Sequence, residues 1–387
     1  MNKYDAIIAG GGIMASSLAY NLRKDGFTGS IAVFEKDQMY EFSSTPRSEG
    51  GIRLSFTTEI NILMSRYSLD FYKNFAKEME VNGESPQIDF KQNGYLYLGT
   101  SETMPRLIEE ANFQNRCGAN MKVLSVEEIH DIIPELNTED LAGATFDTDA
   151  GYMDPYTVLQ FYAKKAKSME VDYIYQPVQS LLAENGKITG VRLESGEEYH
   201  APIVVNACGA WSGALSETIG VDIPVKPFRY QIFCLDLTKK FSKSLPLVFD
   251  PTGFYFREEG EKVITGMPHK DPYSFEFSSN KSTFEEEVWP IFYERSQLFE
   301  QLKVERSWAG LYDFNTVDQN AIIGGHPEMN GYYVITGFSG HGFQQAPAAG
   351  KGLSELIRLG KYETMDLSSL SVERFANNQL ILETAIH

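Results

Sequence analysis

The chain contains no apolar run approaching the length of a membrane span, and only three cysteines, Cys117, Cys208 and Cys234, in 387 residues. The first absence argues against a helix crossing a bilayer. The cysteines are odd in number and widely spaced, which gives neither a disulfide framework nor a zinc cluster, and each is read as a small buried apolar residue. Basic residues are also scarce: 34 Lys and Arg stand against 53 Asp and Glu, a formal net charge of -19. Nucleic acid and anionic membrane surfaces need clustered cations, so neither is expected as a partner. Small polar or amphoteric ligands remain. Repeats, low-complexity tracts and linker-like segments are missing too, so a chain of this length is expected to form two domains within one compact body. The first apolar run begins a few residues after Met1, which leaves no room for a signal peptide, and the expected location is the cytoplasm.

What is present begins at Tyr4 to Leu18. A short apolar run ends in Gly10-Gly11-Gly12, after which Ala15, Leu18, Ala19 and Leu22 recur at the spacing of one helix face. The pattern reads as strand, tight turn, helix with the spacing GxGxxA. Gly10 lets the chain turn, Gly12 lets backbone approach a pyrophosphate, and Ala15 packs helix on strand. A second apolar run, Ile31 to Phe34, ends in Glu35, where such units place an acid on ribose hydroxyls. Together these features point to a bound dinucleotide. The following stretch, Phe42 to Arg53, is dense in hydroxyls and glycine amides and carries Arg47 and Arg53, groups suited to wrapping an elongated anionic cofactor.

Further along, Thr57-Thr58-Glu59 opens a long helix expected to bury Ile60, Leu63, Tyr67, Phe71 and Phe75. Gly94 to Gly99 reads as a strand, Met104 to Cys117 as a helix, and Ser125 to Glu128 as a capping box. Asp154-Pro155 leads into a helix, then the strand Val171 to Tyr175 and a hairpin from Pro177-Val178 to Leu193. The buried strand Ile203 to Cys208 ends in the turn Gly209-Ala210-Trp211. From Val221 to Gln319 the pattern is that of an aromatic antiparallel sheet covered by an amphipathic helix over Phe284 to Leu298. A last buried strand, Gly331 to Thr336, runs into Gly337 to Gln344 and a helix. The expected organisation is a nucleotide-binding α/β domain over 1–84, 150–220 and 320–387. An inserted α+β substrate domain over 85–149 and 221–319 is built on the antiparallel sheet.

The order and spacing of Ile8 to Ala15, Glu35, Gly50 to Arg53, Gly151 to Pro155, Val204 to Trp211, Glu305 to Leu311 and Gly337 to Gln344 resemble the D-amino-acid oxidase and sarcosine oxidase family of flavoproteins. The resemblance implies a Rossmann-type fold binding FAD. It places Gly10, Gly12, Ile13, Met14, Glu35, Lys36, Ser43, Arg47, Ser48, Gly51, Val178, Ala207, Gly209, Trp211, Gly340, His341, Gly342, Phe343 and Gln344 around that cofactor. Three departures matter. Gly310 stands where related sarcosine oxidases carry a flavin-linking cysteine, and no histidine precedes His130, so the FAD is expected to be noncovalent. Ile264 stands where those oxidases carry an oxygen-activating lysine, with Lys262 one pleat away, which favours a dehydrogenase over an oxidase. Gln344 replaces a lysine that grips substrate carboxylate.

Flavin chemistry asks the protein for anchors rather than for a triad. Alternation in Gly253 to Arg257 puts Tyr255 and Arg257 on one strand face, where a hydroxyl and a forked cation suit a carboxylate, or where Glu258 and Glu259 make a solvated face. Tyr255 also matches the family's substrate tyrosine. Arg53 is a second cation for either substrate or flavin, Tyr312 is placed in the pocket wall, and His341 either acts on flavin or substrate or is held structurally. Arg306 and Asp313 read as a scaffold pair. The function expected is FAD-dependent oxidation of the C–N bond of a small amino acid or secondary amine, with oxygen or a redox partner taking the electrons. The alternatives are a 2-hydroxy-acid dehydrogenase and the flavin-carrying subunit of a larger complex with partner subunits.

Overall fold

A computed structural model describes residues 2–266 and 273–385. The first strand, Ala6–Ala9, lies inside a six-stranded sheet ordered 322–325, 332–336, 203–206, 6–9, 31–34 and 171–174. All neighbours run parallel except Ile322–Gly325 against Tyr332–Thr336. Strands of a parallel sheet are covered on both faces and read as continuous apolar runs. Accordingly Ala6–Ala9 and Ile31–Phe34 are buried throughout. The helices Ile13–Lys24 and Gly342–Leu359 pack on this sheet and on each other, Ser17 Oγ donating to Ala346 O at 2.7 Å. This is the expected Rossmann-like architecture.

Strands from 95–147 and 225–315 form an eight-stranded sheet ordered 302–315, 225–237, 262–266, 255–259, 247–249, 95–99, 143–147 and 121–124. It is antiparallel as expected, with one exception: Leu247–Phe249 runs parallel to Tyr95–Gly99. Side-chain alternation divides the faces. Phe254 and Phe256 enter a core with Phe233, Phe284, Phe292 and Phe299, whereas Tyr255 joins Tyr95, Tyr230 and Ile264 on the opposite face. The hairpin Val178–Glu184 with Lys187–Leu193 belongs to a separate three-stranded sheet.

Two helices differ from expectation. The helix Glu59–Lys73 ends at Asn74, and its buried residues are Asn61, Ile62, Met64, Ser65, Ser68, Leu69 and Tyr72. The anticipated stripe is shifted, so that Ile60, Tyr67 and Phe71 lie at its half-buried edge. Small polar residues take the contact because they let this helix approach the last one, Ser68 Oγ accepting from Ala348 N at 3.3 Å. The helix expected over Phe284 to Leu298 is broken into a π turn, Phe284–Val288, a helix, Trp289–Arg295, and a 3-10 turn, Gln297–Phe299. Pro290 supplies no N–H and crowds the carbonyl four residues back, which explains the widened turn before it. It still covers the sheet, Phe292 stacking on Phe299 at 3.7 Å. The capping box at Ser125 and Glu128 forms as read. Among the described residues no helix is long and apolar enough to cross a membrane.

Phe292 is fully buried among Phe254, Phe256 and Phe299. Phe292→Ala is expected to lower stability by about 3–5 kcal/mol, seen as a fall in the urea midpoint.

Candidate active site

Every residue expected at the cofactor lines one elongated cavity of about 390 Å³ that runs from the first strand to the antiparallel sheet. At one end the turn after Ala6–Ala9 is possible only with glycine: Gly10 has φ +92°, and a Cβ there would lie 2.5 Å from Ala207 O. The first turn of helix Ile13–Lys24 therefore faces open space, the arrangement that receives a phosphate on backbone N–H groups. Glu35 accepts N–H bonds from Gly11 at 2.8 Å and Asp37 at 3.0 Å. Burial raises its pKa, and these amides pull it back. Lys36 Nζ stands 3.5 Å over the Trp211 ring. This end fits a dinucleotide: an acid at the end of the second strand, a cation on an aromatic face and a helix N-terminus opening into the cavity.

The loop 42–53 forms one wall and is stitched to the long strand Leu302–Asn315. Arg47 Nη1 donates to Ala309 O at 2.7 Å, Ser44 Oγ to Leu311 O at 2.5 Å, and Trp308 Nε1 to Arg47 O at 3.1 Å. Arg47 thus lines the cavity while its guanidinium staples backbone carbonyls, a role that hydroxyl and charge density did not reveal. Arg306 and Asp313 are not a pair. Arg306 lies 5.3 Å over Trp308, whereas Asp313 lines the cavity. Burial pushes Asp313 up to about 6 against N–H groups of Phe338 and Gly337.

At the far end Arg53, Tyr255, Tyr312, His341 and Gln344 line the same cavity, but Arg257 does not. Arg257 donates to Glu259 Oε2 at 2.6 Å and to Glu49 O at 2.9 Å, and its Nε lies 3.3 Å from Glu49 Oε2. Strand alternation placed it on the face of Tyr255 correctly. What diverts it from a ligand is Glu49, a cavity-lining acid that the sequence reading passed over inside Ser48-Glu49-Gly50-Gly51. Tyr255 Oη donates to Glu49 Oε1. Burial raises the Glu49 pKa while Arg257 opposes the rise. Tyr95, Tyr230 and Phe249, also not anticipated, complete this wall. The signal available for them was the aromatic residues of three strands, 95–99, 225–237 and 247–249.

Arg53 is nearly buried over Phe56, 4.0 Å from the ring, and its guanidinium donates to the carbonyls of Ser55 and Ala385. Gln344 Oε1 accepts from Arg53 N at 2.8 Å, so the side chain that replaces the family lysine fixes the arginine's backbone. Gly340, with φ +104°, presses on Tyr312: a Cβ would sit 2.7 Å from its ring.

His341 is held by a relay that starts at Glu383. That carboxylate accepts from Thr57 and Thr58 backbone N–H and hydroxyl groups and from Asn61 Nδ2 at 3.0 Å. A carboxylate only accepts, so Asn61 presents its Oδ1 to Gln345 Nε2 at 3.1 Å, and Gln345 presents Oε1 to His341 Nδ1 at 2.9 Å. The direction of this chain favours the histidine proton on Nδ1, whose acceptor at 2.9 Å is closer than the Gln319 carbonyl that faces Nε2 at 3.4 Å. Burial lowers the His341 pKa to about 4, so the ring is neutral at pH 7. Of the two sequence readings, this geometry describes the held histidine. Burial also moves Cys208 up to about 12, making it an inert thiol.

Burial works against the Glu383 charge, but hydrogen bonds from Thr57, Asn61 and Ala385 outweigh it and hold the carboxyl at about 2, below its ordinary 4.5. A depressed carboxyl pKa contributes stability that is present above pH 4.5 and lost as pH falls towards 2. The contribution is about 3 kcal/mol. Glu383→Gln is expected to be less stable at pH 7 and to show a flatter loss on acidification, measured by urea unfolding across pH 2–7.

Residues 5–356 match the family described as FAD dependent oxidoreductase. A Xenopus laevis protein called FAD-dependent oxidoreductase domain-containing protein 1 is 34% identical over 99% of this chain and 84% of its own length. Glycine oxidase of Bacillus licheniformis is 28% identical over 96% of this chain and 98% of its own. The crystal structure of L-proline dehydrogenase from P. horikoshii superposes with a TM-score of 0.88 at 29% identity, covering 98% of this chain and 100% of that one. Matched over nearly its whole length, the protein belongs to the FAD-dependent oxidoreductase family.

Proposed function

We propose that this FAD-dependent oxidoreductase oxidises the C–N bond of a small amino acid or a secondary amine. The observation that carries the reading is that one cavity holds both the dinucleotide cradle and, beyond it, a small pocket with Arg53, Glu49 and a set of tyrosines. FAD bound along the cradle supplies the hydride acceptor. The protein's part is to hold the substrate with its α-carbon facing the cofactor and to exclude water. Arg53 has five N–H donors, of which Ser55 and Ala385 take two and the Tyr97 hydroxyl another, and those left suit a substrate carboxylate. Tyr255 and Tyr312 wall the pocket, and Gln344 fixes the backbone of Arg53 beside neutral His341. Loss of a hydride from carbon and a proton from nitrogen leaves an imine, which water hydrolyses. Relatives named glycine oxidase and L-proline dehydrogenase support an amino-acid substrate.

We assign the nucleotide role to 1–84, 150–220 and 320–387 and the substrate role to 85–149 and 221–319. The FAD is held noncovalently, since Gly310 lines the cavity where a linking cysteine would stand. Electrons leave to a redox partner more readily than to oxygen. Ile264 is buried, and Lys262 is ion-paired with Glu305 outside the cavity wall.

Acid precipitation is expected to leave colourless protein and a yellow supernatant. Under nitrogen, N-methyl, cyclic or primary amino acids should bleach the flavin band, with slow recovery in air. Bleaching by 2-hydroxy acids alone would refute the amine reading, and recovery within the mixing time would refute the dehydrogenase assignment. Arg53→Met should weaken carboxylate-bearing substrates by about 1.5–3 kcal/mol, roughly ten- to a hundredfold in KM.

A further inference from the structure

We infer that Glu49 anchors the nitrogen of the substrate as a cation, and that the ligand class is an amino acid or N-alkylated amino acid selected by charge over its oxygen or carbon isosteres. The inference rests on the amine reading above and assigns that pocket a nitrogen end opposite the carboxylate end at Arg53.

Glu49 comes from the flavin-facing loop rather than from the antiparallel sheet, and its side chain is 17% exposed. It lines the cavity. A carboxylate offers about four acceptor positions. Here Oε1 receives the Tyr255 hydroxyl, while Oε2 accepts no hydrogen bond and lies 3.3 Å from Arg257 Nε. Acceptor capacity is therefore left over. Arg257 does not cancel the charge, because it is shared with Glu259 at 2.6 Å, and two carboxylates and one guanidinium carry one net negative charge. Only Glu49 of the three lines the cavity.

Around that carboxylate the wall is aromatic. Tyr230 stacks on Tyr255 at 6.2 Å and on Tyr312 at 5.0 Å, Phe249 meets Tyr255 at 5.7 Å, and Tyr95 meets Phe249 at 5.8 Å. Ring faces attract cations, and a desolvated ammonium over several rings gains more than one in water. An acid beside such rings suits a substituted ammonium, whose alkyl groups meet the aromatic faces while its charge meets the carboxylate. A hydroxy acid brings no charge to either. The competing role for Glu49 is to neutralise Arg257 and tie the loop to the sheet. That role would not depend on whether a ligand carries a cation.

The test uses the FAD-loaded protein, wild type and Glu49→Gln, with the shift of the flavin band as readout of binding. The probes are isosteric pairs: betaine with 3,3-dimethylbutanoate, L-proline with tetrahydro-2-furoate, and sarcosine with methoxyacetate. Substrates are titrated anaerobically. In wild type the tightest cationic ligand is expected to bind at least tenfold better than its partner carboxylate, which lacks the cation. Glu49→Gln keeps an acceptor for Tyr255, and it should cut that ratio at least tenfold by weakening the cationic ligand while leaving or tightening the carboxylate that lacks the cation. Should the glutamine variant not retain flavin, Glu49→Asp, which keeps the charge but withdraws it by one methylene, must also lower the ratio. The anchor is overturned if no cation outbinds its partner in wild type, if the ratio is unmoved by substitution, or if both members weaken together. Glu49-dependent cation binding without bleaching by any amine would sink the oxidation reading and leave the anchor. Bleaching by amines with an unmoved ratio would do the reverse.

Discussion

The loop 42–53 is the constraint on which the rest depends, because its backbone is held at once by the antiparallel sheet and by the last helix. Arg47, Ser44 and Trp308 tie it to the strand Leu302–Asn315, and Gln344 and Asp147 accept the N–H groups of Arg53 and Leu54. A loop in water would lose such order to chain entropy of about 1–2 kcal/mol per residue. Here buried hydrogen bonds offset that cost, and the loop becomes a rigid wall carrying Glu49 and Arg53 at defined places. Cradle and pocket are one cavity because this wall spans them.

The charges of the site follow from the same arrangement. Arg53 and Glu49 are four residues apart, yet each has its own set of partners. Arg53 is oriented by the carbonyls of Ser55 and Ala385, and Glu49 by Tyr255 and Arg257. Separate partners let opposite charges coexist nearby without collapsing into one salt bridge. The segment around Glu383 and Ala385 is part of this design. It delivers a carboxylate to the start of the helix Glu59–Lys73, where backbone N–H groups favour an anion, and it aligns the amide relay to His341.

The nucleotide end was legible because its chemistry is local. Gly10, Glu35, Gly209 and Gly340 lie at ends of strands whose apolar runs announce a parallel sheet, and each marker falls where a strand gives way to a turn. The pocket was half legible. Alternation put Tyr255 and Arg257 on one face, but whether an arginine meets a ligand depends on which acids reach it. Glu49 is some two hundred residues away along the chain, on a different element. The helix Glu59–Lys73 erred for a related reason: apolar periodicity marked its edge, while Ser68 and Asn61 took the closest contact because they are small and hydrogen-bond to the last helix.

By itself the sequence determined the strand, turn and helix grammar of a dinucleotide fold and its continuation through the final glycine turn. These are properties of residue type and spacing, which short-range sterics and periodicity translate directly into structure. Only the tertiary structure decided that Arg257 is held by two acids, that Arg47 is a staple, that Gln344 fixes Arg53, and that Glu49 stands among tyrosines in the cavity. Each of those outcomes is a competition between distant groups for the same hydrogen bonds and charges, and such a competition is resolved only once the sheets and the loop are packed together.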